Sequence, residues 1–298
     1  MTRGHAGAVL RDRLNHLGFQ ARDLTRLGGG DINEAFRAET ERGPVFVKTH
    51  ASPPEPLPGG PAFFAAEALG LKTLASAGLL TPAVLAVDEA CLVLEWLEPA
   101  SRTAEAERSA GRALAGLHER VGPRFGLDHA NFMGAIPQNN RPVEPAEVPE
   151  RDASSFASFF RERRLLPLVA RARLAPRVAR RLERLPLDTL LSPTTPRLVH
   201  GDLWSGNLLY TSGGPRFIDP AIAYGHPEQD LAMTRHFGGF SEAFYEGYRE
   251  HGPSAAARFD QGLAERLDVL TLYPLLVHVA LFGGGYLRQV EAILDRFE

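Results

Sequence analysis

Residues 24–48 constrain the fold more tightly than any other stretch. Leu24-Thr25-Arg26-Leu27 and Asn33-Glu34-Ala35-Phe36-Arg37-Ala38-Glu39 flank a glycine turn, and Gly43-Pro44 separates them from a third strand-like run, Val45-Phe46-Val47-Lys48. Connections this short join antiparallel strands, so an antiparallel sheet opens the chain and its third strand ends on a lysine. That lysine is unusual. Of 33 basic residues only Lys48 and Lys72 are lysine, and the rest are arginine. A codon bias accounts for the abundance of arginine but leaves open why a lysine stands at a strand end.

The remaining periodicities fill in two regions. Val9, Leu10, Leu14 and Leu17 give helical spacing over residues 5–18. Residues 51–61 carry Pro53, Pro54, Pro56 and Pro58, which fix φ and remove donors, and read as a surface loop. A helix follows over 62–77, ending at Gly78. A strand pair follows at 83–87 and 91–96, joined by Asp88-Glu89-Ala90.

Beyond Pro99 the character changes. Residues 103–119 read as a helix and 121–150 as irregular. Residues 152–185 read as helical, with breaks at Pro167, Pro176 and Pro186. Short strands are expected at 197–200, 207–210 and 215–218, and two or three helices from Glu228 onward. The fold class is α+β and bilobal: a small β-rich lobe over residues 1–95 and a larger, mainly helical lobe over 96–298. In the arginine-rich stretch from Arg161 to Arg184, Leu165, Leu168, Val169, Leu174, Val178 and Leu182 interleave at helical spacing. The arginines there are expected on a solvated outer face.

Composition excludes several roles. The formal net charge of −3 argues against a general nucleic-acid binder. Cys91 is the only cysteine, so no intrachain disulfide forms, which suits a reducing, cytoplasmic setting. No apolar run reaches the roughly 18 residues of a membrane span, and the first residues lack a signal-peptide core. A monomer is the expected state.

The chemistry concentrates in Leu198-Val199-His200-Gly201-Asp202-Leu203-Trp204-Ser205-Gly206-Asn207, followed by Phe217-Ile218-Asp219-Pro220. An aspartate on a loop can accept a proton from a hydroxyl. An asparagine at the start of the next strand, and a second aspartate at the end of the following one, can hold a metal that bridges nucleotide phosphates. Asp-x-x-x-x-Asn with a later aspartate is the catalytic arrangement of kinases. The N-terminal sheet supplies complementary parts. Glycines at 28–30 let backbone N–H groups approach phosphates, although a plain hairpin turn would look the same. Lys48 can reach α/β-phosphates if a carboxylate holds it, and Glu67 lies on the next helix.

These segments resemble the protein-kinase-like fold in its aminoglycoside phosphotransferase and choline kinase branch, and more closely the fructosamine kinase (ketosamine-3-kinase) family. The resemblance rests on Gly29-Gly30-Asp31-Ile32-Asn33, the strand ending at Lys48, and the Leu-Trp-Ser-Gly filling of the catalytic loop. It continues through Asp219-Pro220-Ala221, Tyr224-Gly225-His226-Pro227-Glu228, Phe237-Gly238-Gly239-Phe240 and the run from Phe125-Gly126 to Asn139. It implies an ATP- and Mg²⁺-dependent kinase that phosphorylates the sugar 3-hydroxyl of ketosamines, on free amines or protein lysines, in the repair of glycation. Within it Asp202 would be the base and Asn207 and Asp219 the metal ligands. Lys48 and Glu67 would serve the phosphates, and Gly29, Gly30, Asp31, Ile32 and Asn33 would cover them. Glu95, Trp96 and Leu97 would form the adenine hinge. Another acceptor on the same fold (an aminoglycoside, a methylthiopentose, an amino alcohol) and a non-catalytic nucleotide-binding scaffold stand as alternatives.

Some residues carry two readings. Trp204 is a packing residue or a wall of the sugar pocket. Asp230 and His200 read as supports of the catalytic loop. His226 is loop support or a substrate contact, and His278 a core residue or part of the acceptor site.

Overall fold

The computed structural model describes residues 3–28, 33–50, 54, 57 and 60–297. Helix α1 (Arg3–His16) precedes three strands, β1 (Asp23–Leu27), β2 (Asn33–Thr40) and β3 (Gly43–His50). Helix α2 (Phe63–Ser76) and strands β4 (Val84–Val87) and β5 (Cys91–Glu95) complete the first part. The five strands form one antiparallel sheet in the order β1-β2-β3-β5-β4.

Side-chain alternation along these strands sorts the two faces. Val45, Val47, Cys91 and Val93 pack with Leu10 and Leu14 of α1. Leu92 and Leu94, with Phe46, pack instead with Phe64, Ala68 and Leu71 of α2. Lys48 shares the parity of Phe46, so strand geometry alone aims it at α2 rather than α1. Residues 29–32 and most of the proline-rich loop lie outside the described residues.

The second part is mainly helical. Helix α3 (Ala104–Leu117) starts where Thr103 Oγ1 accepts the Ala106 N–H. A small hairpin, β6 (Asn131–Met133) and β7 (Ile136–Gln138), follows inside the stretch read as irregular. Helices α4 (Phe156–Phe160) and α5 (Leu166–Arg171) are joined without interruption by a π-turn, Arg161–Leu165. The expected break at Pro167 is therefore absent. Pro167 follows directly on the π-turn, whose altered bonding accommodates the missing N–H. Next come α6 (Pro176–Arg184), α7 (Leu187–Leu190), β8 (Arg197–Val199), β9 (Leu208–Thr211), β10 (Gly214–Phe217) and β11 (Ala223–Gly225).

Five helices close the chain rather than two or three: α8 (Glu228–His236), α9 (Glu242–Glu250), α10 (Pro253–Ala257), α11 (Leu263–Phe282) and α12 (Leu287–Leu294). Helix α11 runs through the centre, with Leu270, Leu272, Leu275 and Leu276 buried in one large core. Among the described residues no helix is long and apolar enough to cross a membrane.

The arginines of 161–184 are not all on an outer face. Arg161 and Arg164 are buried. Each finds backbone or amide oxygens that replace water, which periodicity cannot reveal.

Candidate active site

Strand β8 runs into the loop that carries Asp202. Gly201 has φ +85°, and a Cβ there would lie 2.1 Å from the Ala221 carbonyl oxygen, so only glycine fits. Asp230, on α8, holds this turn. Its Oδ2 accepts the His200 N–H at 2.7 Å and its Oδ1 the Gly201 N–H at 2.8 Å. His118, at the end of α3, donates Nε2–H to the same carboxylate at 3.0 Å. Burial alone would raise the Asp230 pKa, but the hydrogen bond and charge of His118 hold it below the ordinary carboxylate range. His200 adds a second tether: its Nε2–H donates to the Ile218 carbonyl at 3.0 Å. His200 and Asp230 both bond the backbone around this turn; His118 was not singled out, because 112 residues separate it from its partner.

Asp202 then faces the cleft. Asn207 donates its amide N–H to the Asp202 carbonyl at 2.7 Å, which leaves the asparagine oxygen without a hydrogen bond among the described residues. Burial, reinforced by the charges of Asp219 and Asp230, pushes the Asp202 pKa up to about 7. A base with that pKa is matched to proton transfer near neutrality.

Lys48 reaches across from β3. Its Nζ donates to Glu67 Oε1 at 2.8 Å and also to Asp219 Oδ1. Burial disfavours the ammonium, yet the two carboxylates outweigh it and raise its pKa. The same contacts lower Asp219 against its own burial. Glu67 is more deeply enclosed and shares the ammonium with Asp219, so burial wins there and its pKa rises to about 7. Asp219 adopts φ +54°, a conformation that costs a side-chain-bearing residue about 1–2 kcal/mol. Hydrogen bonds on either side over-determine it, from Ile218 N–H to the Asn207 carbonyl and from Ala221 N–H to the His200 carbonyl. An asparagine oxygen and a carboxylate are the hard donors that Mg²⁺ prefers. Asn207 and Asp219 therefore fit that ion.

These groups share a cleft of about 670 Å³. Asn33, Lys48, Glu67, Asp202, Asn207 and Asp219 line it together with Trp204 and His278. Trp204 is 44% exposed, which overturns the packing alternative; its ring lies across Gly206, where a Cβ would come within 2.2 Å. His278 donates Nδ1–H to the Pro274 carbonyl at 2.8 Å and stacks on Phe237 at 4.8 Å. Phe132, Met133, Phe237 and Phe282 also line the cleft. They lie on the hairpin and the C-terminal helices, where single-sequence patterning gives no mark of a pocket.

Other expectations change. His226 does not line the cleft. It is 3% exposed, its Nδ1 accepts the Glu228 N–H at 3.2 Å, and its Nε2–H donates to the Ser192 carbonyl at 3.2 Å. Both ring nitrogens are occupied by backbone groups, and the ring lies away from the cleft on the loop-support side of the two readings. Glu95, Trp96 and Leu97 are also not among the lining residues. The Glu95 N–H donates to the Ala83 carbonyl at 2.9 Å, and Trp96 Nε1–H to Glu98 at 2.6 Å. Gly29, Gly30, Asp31 and Ile32 lie outside the described residues.

A lysine–glutamate pair on a β-lobe, facing a loop aspartate, an asparagine and a second aspartate on a helical lobe, defines a phosphotransferase of the protein-kinase-like class. The fructosamine kinase family model matches residues 7–297, and the chain belongs to that family. The chain is 35% identical over 282 residues to the probable ketoamine kinase of Enterococcus faecium, covering 90% of this chain and 93% of that protein. It is 31% identical to the chloroplastic protein-ribulosamine 3-kinase of Arabidopsis thaliana, over 93% of this chain and 83% of that one. A solved structure from Thermobifida fusca, described as a candidate fructosamine-3-kinase, is 32% identical. It has a TM-score of 0.81 and coverage of 96% of this chain and 97% of its own.

Proposed function

We propose that this chain transfers the γ-phosphoryl group of ATP to the sugar 3-hydroxyl of a ketosamine. The observation that carries this is the placement of Asp202 in one cleft with the Lys48–Asp219 pair, beside the exposed face of Trp204. Asp202 accepts the hydroxyl proton. The sugar oxygen bonds to the γ-phosphorus, and the bond from that phosphorus to the bridging oxygen breaks, releasing ADP. Such transfer is mainly positioning and charge stabilisation, and no covalent intermediate is required. Lys48, steadied by Glu67, neutralises phosphate oxygens. Asn207 and Asp219 would hold Mg²⁺, which supplies charge neutralisation at the phosphates.

The lobe of residues 1–95 takes the nucleotide, with Gly29 to Asn33 over the phosphates. Adenine recognition falls to the backbone of Glu95, Trp96 and Leu97, where the Glu95 N–H is already bonded to the Ala83 carbonyl. The lobe of 96–298 takes the acceptor, with the sugar against Trp204 and His278. On this reading the chain acts in the cytoplasm, as a monomer, on ketosamines of free amines or protein lysines. Phosphorylation at the 3-position labilises the adduct and repairs glycation.

ADP release against an acceptor panel tests the reading. Ribulosamine or fructosamine adducts should be turned over. Turnover confined to aminoglycosides, methylthiopentoses or amino alcohols would refute it.

A further inference from the structure

The π-turn Arg161–Leu165 lies within a continuous helix, and such turns concentrate at functional sites. It buries two arginines with different partners. Arg161 donates to the carbonyls of Leu182, Glu183 and Leu185 and closes the end of α6. Arg164 donates Nη1–H to the Asn139 carbonyl at 2.8 Å and Nη2–H to Asn140 Oδ1 at 2.6 Å. Its guanidinium also lies 4.7 Å from the Phe159 ring centroid and 5.6 Å from that of Tyr273.

No carboxylate among the described residues pairs with Arg164. Burying a charge without a counter-ion is costly. Neutral acceptors and two ring faces offset that cost only if they are held in place. They are. Asn140 donates to Asn131 Oδ1 at 2.7 Å, and Asn131 donates to the Ile222 carbonyl at 2.8 Å. The hairpin that Arg164 grips carries Asn131, Phe132 and Met133 into the cleft lining. Tyr273, the other contact, stands one helical turn before Val277 and His278, which also line the cleft.

We propose that Arg164 is a positioning residue for the acceptor: it fastens the β6–β7 hairpin to helix α11 and so sets the shape of the acceptor end of the cleft. The proposal rests on the kinase reading above and adds which residue, remote from the chemistry, governs acceptor affinity. Lys48, Glu67 and Asp219, on the nucleotide side, come from other elements. Loosening Arg164 should therefore separate the two substrates kinetically. A misplacement of about an ångström costs up to about 10²-fold.

The test is steady-state kinetics in both substrates, with melting temperatures, for the full chain and three variants. Arg164→Lys keeps the charge but loses the planar fork. It should raise the acceptor KM about tenfold and leave the ATP KM within about twofold. Asn140→Ala should shift the acceptor KM in the same direction. Arg161→Lys, from the same turn, should lower the melting temperature and leave both KM values alone.

Equal shifts of both KM values in Arg164→Lys, or a loss of melting temperature alone, would overturn the proposal. If Arg164→Lys does not fold, Asn140→Ala decides, and an unchanged acceptor KM refutes it. Absence of any ketosamine turnover in the wild type would sink the ketosamine reading instead. The KM split can still be read with whichever hydroxyl acceptor is used.

Discussion

Asp230→Asn removes one charge from the support of the catalytic loop and leaves its shape intact. The native carboxylate accepts three hydrogen bonds, from the His200 N–H, the Gly201 N–H and His118 Nε2–H. An asparagine oxygen in the place of Oδ2 can still take two of them. Its NH₂ then meets the Gly201 N–H, donor against donor. One charge-assisted bond is lost, worth about 1.5–3 kcal/mol, and one buried donor is left unsatisfied at about 1–3 kcal/mol. The sum is a destabilisation of about 2.5–6 kcal/mol, which brackets the roughly 3–5 kcal/mol for breaking a buried charged contact. Because Gly201 precedes Asp202, the base shifts with the turn, and kcat should fall about 10²-fold. Urea unfolding midpoints and initial rates of ADP release measure the two effects. A variant within about 1 kcal/mol of wild type, or one with normal kcat, would refute the assignment of Asp230 as the anchor.

Other perturbations probe separate parts. Lys48→Arg keeps the charge, but the broader fork does not fit between Glu67 and Asp219, so most activity should be lost; near-normal turnover contradicts this. Trp204→Leu should raise the acceptor KM about 3- to 10-fold, in line with an aromatic contact of about 1 kcal/mol. Its melting temperature should barely change, because the ring is exposed.

His226 tests pH dependence. Burial, aided by the charges of Arg266 and Arg258, lowers its pKa to about 3. The unfolded chain therefore binds the proton first once pH falls below about 6.5. Stability is lost downward from there at about 1.4 kcal/mol per pH unit, or about 2 kcal/mol at pH 5. His226→Asn should flatten the fall in urea midpoint between pH 7 and pH 5, and an unchanged slope would count against a buried neutral imidazole.

The parts legible in the sequence were those written in contiguous residues. The catalytic loop with Asn207, the strand ending at Lys48 and the helix bearing Glu67 each depend on local spacing, and each occupies the cleft. What escaped depends on contacts between distant segments. Strand β11 exists because it pairs with β8, and three residues give no periodicity of their own. Nothing in the composition distinguishes Arg161 and Arg164 from their exposed neighbours; burial follows from carbonyls supplied by other elements. His226 sits in a motif that resembles the family, yet the fold turns its ring inward. The break expected at Pro167 failed for a local reason, a π-turn that absorbs the missing donor.

The most direct test is phosphorus-coupled proton NMR of the product formed from ATP and a ribulosamine or fructosamine adduct, with wild type and Asp202→Asn compared. The expected result is coupling of phosphorus to the proton on sugar carbon 3 in the wild-type product. A rate loss of about 10²–10⁴-fold is expected when the base is removed. Phosphate at another position, no phosphorylated ketosamine, or an Asp202→Asn variant at wild-type rate would contradict the assignment.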